Sequence, residues 1–372
     1  MVLPSAGPMT THESGPADPG HFDDHFGSRE DNLRWYREML RIRRFEEAAA
    51  QSYTRGKISG FLHLYIGQEA IAVATKEMLR PQDRVVAAYR THGFGIAFGS
   101  DPRACMAELY GKATGLVGGI GGSMHFFDRK HQLWGGYAIV GNHIPVAAGH
   151  AFASKYLGDG GVTLCFLGDG AVAIGPTHEG WTLAGLWKLP VVYVVENNRY
   201  SMGTPLARSI PVEDITLKAP GYNMASDRFR VTSVAETAAR IGAAMKIARE
   251  ESRPVLVELI TYRFRGHSMS DPGKYRGKEE VEEWRRWDPM ERTLRALREL
   301  HKVSEDELEA MDEAVIAEFV KEDRVRERAY RATPPSIDHF DNLVEVGLGH
   351  RARFHGVEVR LLLLFPQSLI PS

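Results

Sequence analysis

The chain is poor in cysteine, in unbalanced charge and in long apolar runs, and each shortage removes a class of function. Only Cys105 and Cys165 occur in 372 residues, with no CxxC or metal spacing, which argues against a disulfide scaffold or a thiolate metal centre and fits a reducing compartment. Basic and acidic side chains nearly cancel, 46 against 48, so no polyanion and hence no nucleic acid partner is implied. No stretch of about 18 apolar residues occurs, and the first residues lack both a secretory apolar core and the arginine-rich, acid-poor character of a transit peptide. The expectation is a cytoplasmic protein without a membrane partner. No internal repeat is visible.

What is present is a long α/β pattern. Residues 1–27, with Pro4, Pro8, Pro16 and Pro19 and few apolar clusters, read as a flexible tail. A domain is expected over 28–335, and the tail 336–372 matches no recognisable pattern. Ser28 with Asp31 signals a helix start, and Leu33, Tyr36, Leu40 and Phe45 continue it to Gly56. A helix at about Gln68 to Leu79 precedes a strand at Arg84–Tyr89, and a small-residue helix spans His143 to Tyr156. Residues 111–122 are a glycine-rich loop, and the segment after Tyr200 reads as irregular. Ser233 with Glu236 caps another helix, and Pro254–Tyr262 is a further strand.

The most informative stretch runs from Val162 to Tyr200. Val162–Leu167 is an apolar run stopped by Gly168, Asp169 and Gly170; an amphipathic segment follows, and Val191–Val195 is a second apolar run stopped by Glu196, Asn197 and Asn198. This is one βαβ unit. Its crossover joins parallel, neighbouring strands, so both strand ends face the same sheet edge and Asp169 lies beside Asn198. Adjacent strands lie about 4.8 Å apart, so a carboxylate from one turn and an amide oxygen from the next can reach one Mg²⁺, which keeps one or two carboxylates and fills its shell with water and phosphate oxygens. Gly170 and Ala171 then lie where a helix is expected to begin, offering free N–H groups to a diphosphate. The turn carrying Asp169 is expected at the surface.

GDG followed by ENN one βαβ unit later resembles the thiamine diphosphate signature of transketolase-like and 2-oxo acid decarboxylating enzymes. FLHLYIGQEA (61–70), YRTHG (89–93), GGSMHFF (121–127), LWKLP (186–190), ENNRYSMGT (196–204) and RGHSMSDPGKYR (265–276) extend the likeness over about residues 30–335. The chain resembles the thiamine diphosphate dependent 2-oxo acid dehydrogenases, specifically the alpha subunits of the decarboxylating first component of pyruvate dehydrogenase. That resemblance implies a doubly wound, mostly parallel α/β sheet.

It further implies that Asp169 and Asn198 ligate Mg²⁺ by side chain and Tyr200 by its carbonyl. Tyr89, Arg90, Gly170, Ala171 and His267 match residues that hold the diphosphate; Ala138 and Val140 lie at the cofactor's ring system; His63 and His267 match catalytic histidines. The cofactor carries the covalent chemistry, so the protein anchors, orients and moves protons. The implied partners are a beta subunit in an α2β2 heterotetramer, pyruvate, and the lipoyl group of a dihydrolipoyl acetyltransferase. Because an activating glutamate belongs to the beta subunit, this chain is expected to hold half an active site.

Some positions depart from the family pattern. Ile174 and Pro176 replace a polar residue and an acid, which implies an interrupted proton path between active sites, although Glu179 is retained. Ala138 replaces a glycine, and Asn142 and His143 replace a small residue and a glutamine. Branched-chain 2-oxo acid and acetoin dehydrogenases share the GDG unit, but the SMSDPGKYR loop fits the pyruvate group better. A degenerate subunit that only assembles is opposed by retention of Asp169, Asn198, His63 and His267. The loop 263–278, with three glycines and little apolar anchorage, is expected to be mobile when empty, and Ser268 occupies the position that mitochondrial relatives phosphorylate.

Overall fold

The computed structural model describes residues 27–326 and the two short segments 353–354 and 357–358. The expected tails therefore lie almost wholly outside the described residues. Of the unit Thr333–Ser372, only an antiparallel pair of two-residue strands, Arg353–Phe354 with Val357–Glu358, is described.

In chain order the principal elements are helices α1 (Arg29–Thr54) and α2 (Glu69–Met78), strand β1 (Arg84–Ala88), helices α3 (His92–Phe98) and α4 (Pro102–Leu109), strand β2 (Leu133–Tyr137), α5 (His143–Leu157), β3 (Thr163–Gly168), α6 (Gly175–Trp187) and β4 (Val191–Asn197). A two-strand hairpin, β5 (Tyr200–Ser201) with β6 (Thr204–Pro205), leads through α7 (Leu206–Ser209) to β7 (Ala225–Arg230), α8 (Val234–Glu251) and β8 (Val255–Ile260). Helices α9 (Lys278–Arg285), α10 (Pro289–Glu299) and α11 (Glu305–Arg326) follow.

Local chemistry sets the helix starts. Ser28 Oγ accepts the Asp31 N–H at 3.1 Å, Ser233 Oγ accepts that of Glu236 at 3.2 Å, and Asp288 accepts that of Met290 at 3.0 Å with Pro289 in the first turn.

Six strands form one sheet in the order β2-β1-β3-β4-β8-β7, and every pairing is parallel. A sheet of this kind must be covered on both faces, and alternation along β3 shows how. Leu164 and Phe166 enter a core with α1, α2, α3 and α8, whereas Cys165 and Leu167 enter a second core with α5 and α6. Burying each large apolar side chain contributes about 1.5–3 kcal/mol. The doubly wound fold is thus as the family resemblance implied, and β3 and β4 are the neighbouring parallel pair of the expected βαβ unit.

Two strands of the six-stranded sheet were not legible in advance: β2, with Gly135 and Gly136 near its centre, and β7, whose Ser226, Asp227, Arg228 and Arg230 interrupt any apolar run. Both lie at the sheet's edges, where one side lacks a neighbouring strand and polar residues are tolerated. After β1 the chain moves to β2 on one side, then crosses to β3 on the other. The crevice at the carboxyl ends of β1 and β3 is therefore a topological switch point, where open α/β sheets bind ligands.

Candidate active site

The turns at the carboxyl ends of β1, β3 and β4 line a cavity of about 240 Å³. Tyr89, Arg90, Val140, Asp169, Gly170, Ala171, Asn198 and Tyr200 border it, together with Gln68, Glu196 and Arg263. A second cavity of about 560 Å³ shares Tyr89, Val140 and Met202 and adds Phe61, His63, Met124, Ala138 and His267. Every residue expected at the site therefore lies on one of two adjoining cavities.

The Asp169 turn is not at the surface. Asp169 is 1 % exposed, and burial raises its carboxyl to about 6. Its carboxylate accepts a long hydrogen bond from Ser201 Oγ at 3.5 Å. The expected helix start is also displaced: Asp169–Ala173 forms a 3₁₀ turn, and α6 begins at Gly175 with Pro176 in its first turn. Gly170 packs so tightly on Ser201 that a Cβ there would collide with the serine hydroxyl.

Asn198 donates from Nδ2 to Gln68 Oε1 at 3.3 Å, and its Oδ1 accepts the Tyr200 N–H at 3.4 Å. The Tyr200 carbonyl accepts from Arg263 Nη1 at 3.2 Å. Among the described residues no cluster of three acidic, histidine or cysteine groups could cage a metal. One buried carboxylate that shares a cavity with an amide oxygen and a carbonyl could supply part of a Mg²⁺ shell, the rest of which such an ion takes from phosphate oxygens and water.

The cavity is electropositive. Arg90 is 7 % exposed and donates to the carbonyls of Leu64 at 2.5 Å and His267 at 2.9 Å; burial and then the neighbouring Arg263 lower it to about 10. Arg263, 2 % exposed, donates to the carbonyls of Tyr200 and Met202 and to the Tyr275 hydroxyl, while its Nε has no partner. Neither guanidinium has a hydrogen-bonded carboxylate among the described residues. Two buried cations without a direct counterion describe a receptor for an anion.

His63 and His267 meet edge to face with ring centroids 5.1 Å apart, and Tyr89 lies 4.6 Å from His63. Both Nδ1 atoms are buried and unpartnered. Burial, followed by Arg90, lowers His63 to about 2 and His267 to about 4, so both rings are neutral at pH 7. Within this chain alone they are therefore not poised near neutrality, and an anion that offset Arg90 would make them better bases.

Buried networks hold this geometry. The His63 N–H donates to Ser123 Oγ at 3.1 Å; Ser123 Oγ lies 2.9 Å from His92 Nε2, and His92 Nδ1 lies 3.0 Å from Glu46. The glycine-rich loop has an organiser that sequence alone does not reveal: the buried Glu108 carboxylate accepts N–H groups from Val117, Gly119, Gly121 and Gly122 at 2.7–3.0 Å.

The loop 263–278 is also better anchored than expected. Asp271 accepts from the His267 and Gly273 N–H groups and from the Tyr275 hydroxyl, Arg276 donates to the Arg263 and Arg265 carbonyls, and Ser268 is buried against Ser270. Its hydrogen-bonding partners lie largely within the loop, so counting apolar residues missed them.

His143, at the position departing from a glutamine, is fully buried, pairs through Nε2 with the Phe166 carbonyl at 2.9 Å, and is lowered to about 4 by burial. It borders the smaller cavity. Glu179, by contrast, is exposed.

Residues 37–334 match the Dehydrogenase E1 component family. The chain is 44% identical over 289 residues to the pyruvate dehydrogenase E1 component subunit alpha of Rhizobium meliloti, covering 77% of this chain and 83% of that protein. The proteins of the same name from Rickettsia bellii (43%, covering 79% of this chain and 90% of the relative) and Zymomonas mobilis (42%, covering 80% and 86%) are similarly close. With a doubly wound sheet, an anion-receptive cavity at its switch point and a match over most of its length, the chain belongs to the dehydrogenase E1 component family.

Proposed function

We propose that this chain is the alpha subunit of a pyruvate dehydrogenase dependent on thiamine diphosphate and Mg²⁺, and that residues 28–335 form the domain carrying this activity. The reaction is oxidative decarboxylation of pyruvate with transfer of the acetyl unit to a lipoyl group of dihydrolipoyl acetyltransferase. A beta subunit completes the site in an α2β2 heterotetramer, and the cytoplasm is the expected location. Among the described residues no helix is long and apolar enough to cross a membrane.

The observation that carries this reading is the pair of buried guanidinium groups, Arg90 and Arg263, in the same switch-point cavity as Asp169 and Asn198. A diphosphate with one divalent cation matches both halves: its oxygens meet the arginines, and its cation meets the carboxylate and amide. The residues present thus fit the cofactor. Asp169, Asn198 and the Tyr200 carbonyl would hold Mg²⁺; Tyr89, Arg90, Gly170, Ala171 and His267 would hold the diphosphate; Ala138 and Val140 would border the rings. When bound, thiamine diphosphate supplies the nucleophilic carbon and the electron sink that decarboxylation needs.

The chain's own residues then have defined roles. Arg90 binds the anion and ties together the His63 segment and the loop of His267 through their carbonyls. His63 and His267, with free buried Nδ1 atoms and rings in edge-to-face contact, hold and move protons beside the substrate cavity. Phe61, Met124 and Met202 border the space for a small apolar 2-oxo acid. The names of the relatives favour pyruvate over branched-chain or acetoin substrates.

The test is to purify the chain with its beta partner and measure carbon dioxide release from several 2-oxo acids with thiamine diphosphate and Mg²⁺. Pyruvate is expected to be preferred, and the isolated chain to be inactive. Asp169→Ala is expected to abolish Mg²⁺-dependent cofactor binding in calorimetry while the complex still assembles. Unchanged affinity removes the metal assignment, and turnover by the isolated chain removes the half-site reading.

A further inference from the structure

Gln68 has no role in the proposed reaction, yet it stands between two residues of the ENN turn. Its Nε2 donates to Glu196 Oε1 at 2.9 Å, and its Oε1 accepts from Asn198 Nδ2 at 3.3 Å. Glu196 Oε1 also accepts the hydroxyl of Tyr65, whose own N–H is held by Glu46 at 2.8 Å. Tyr65, Gln68, Glu196 and Asn198 are all buried. The Cβ of any residue replacing Gly67 would collide with the Tyr262 carbonyl, so the turn presenting Gln68 approaches that backbone as closely as glycine allows.

An amide side chain has two ends of nearly equal size and opposite hydrogen-bonding character, so only its partners decide which end faces a given point. The relay here has a defined polarity. The Glu196 oxygen is the acceptor at its root, so the Gln68 NH₂ faces it. The Gln68 oxygen must then face Asn198, so the Asn198 NH₂ faces Gln68 and Asn198 Oδ1 is turned away from it, where it accepts the Tyr200 N–H at 3.4 Å in the cavity that Asp169 also lines. Reversing Asn198 would set two oxygens against each other and turn N–H groups toward a cation.

We infer that Gln68, oriented by Glu196, is a positioning residue that presents the oxygen and not the nitrogen of Asn198 to the metal. This rests on the proposal that Asp169 and Asn198 hold Mg²⁺. It also gives the GQEA segment a role at the site, since α2 begins immediately after Gln68. Groups behind a metal ligand commonly change metal affinity by about 10- to 100-fold when removed.

A double-mutant cycle separates orientation from packing. Gln68→Met keeps length and volume but removes both polar ends. Asn198→Asp supplies a carboxylate whose two oxygens are equivalent, so it needs no orienting partner. Mg²⁺ is titrated calorimetrically into the complex with the beta subunit in saturating thiamine diphosphate. Gln68→Met is expected to weaken Mg²⁺ binding about 10- to 100-fold when residue 198 is Asn, and not to weaken it in the Asn198→Asp background.

Equal losses in both backgrounds, or no loss in either, overturn the inference. Asp169→Ala is the control for the metal reading: if it leaves Mg²⁺ affinity intact, that reading fails whatever Gln68 does. If it removes binding while Gln68→Met has no effect, only the positioning role fails. Should Gln68→Met prevent assembly, Glu196→Gln replaces it, since an amide at the root lets Gln68 turn. It is expected to produce a smaller loss, again confined to the Asn198 background, and its absence there overturns the inference.

Discussion

The two edges of the parallel sheet treat charge in opposite ways. At the amino edge, the buried Asp83 before β1 accepts the Val162 and Arg80 N–H groups and both Nη groups of Arg249 at 3.0 and 2.9 Å, and Arg84 pairs with Asp159 at 2.8 Å. At the carboxyl edge, Arg90 and Arg263 have no hydrogen-bonded carboxylate among the described residues, Asp169 has only a 3.5 Å hydroxyl among side chains, and two histidines keep free nitrogens. Burial lowers Arg90 to about 10 and raises Asp169 to about 6, whereas the charged groups Asp83 and Arg84 of the amino edge are paired within the chain, with Arg249 and Asp159. A buried charge without a partner costs stability and persists where something outside the chain supplies the counter-charge. The amino edge is complete as folded, and the carboxyl edge is made to be completed by a ligand.

The largest expected effect tests the amino edge. Arg249→Met leaves a buried carboxylate uncompensated and is expected to cost about 3–5 kcal/mol, read as a lower melting temperature with cofactor affinity unchanged. An unshifted melting curve would erase the contrast. Next is Arg90→Met, expected to weaken thiamine diphosphate binding on the order of 100-fold through loss of charge-assisted contacts, while the melting temperature falls less than in Arg249→Met. The reverse ranking, a large stability loss with unchanged affinity, would make Arg90 a structural cation.

A third effect follows from pH. Asp169 must shed its proton to bind a cation, so Mg²⁺ affinity is expected to fall by about tenfold per pH unit below about 6. In the metal-free chain the sign for stability reverses: a carboxyl raised above its unfolded value favours the fold at low pH, and that contribution is lost as pH rises through about 6. Melting curves of the wild type and Asp169→Asn, with and without Mg²⁺, separate the two. The smallest effect is Ser201→Ala. At 3.5 Å the hydroxyl contact to Asp169 is long, and about a twofold change in Mg²⁺ affinity or less is expected in the same titration.

Much of the fold was readable because it rests on local patterns. Apolar runs with Gly and Asn stops marked β3 and β4, and Ser28 and Ser233 marked helix starts. Edge strands β2 and β7 escaped because glycines and charges blur their pattern. The site residues were found through ordered motifs, but Gln68, Glu196 and Arg263 were not. Their roles come from partners far along the chain, as when Arg263 reaches the carbonyl of Tyr200. The position of Asp169 was right and its setting wrong: a turn rich in Gly and Asp looks exposed, yet neighbouring turns bury it.

By itself, then, the sequence determined the βαβ unit, the side-by-side placement of Asp169 and Asn198, and the family, since these follow from short-range periodicity, the handedness of crossovers and ordered motifs. Tertiary structure alone decided the electrostatics. Which charges are paired, which histidines are neutral, how Glu108 gathers a glycine loop and which end of the Asn198 amide meets Gln68 all depend on groups brought together across the chain. Burial sets the strength of each such interaction, and burial is a property of the folded packing, not of any one segment.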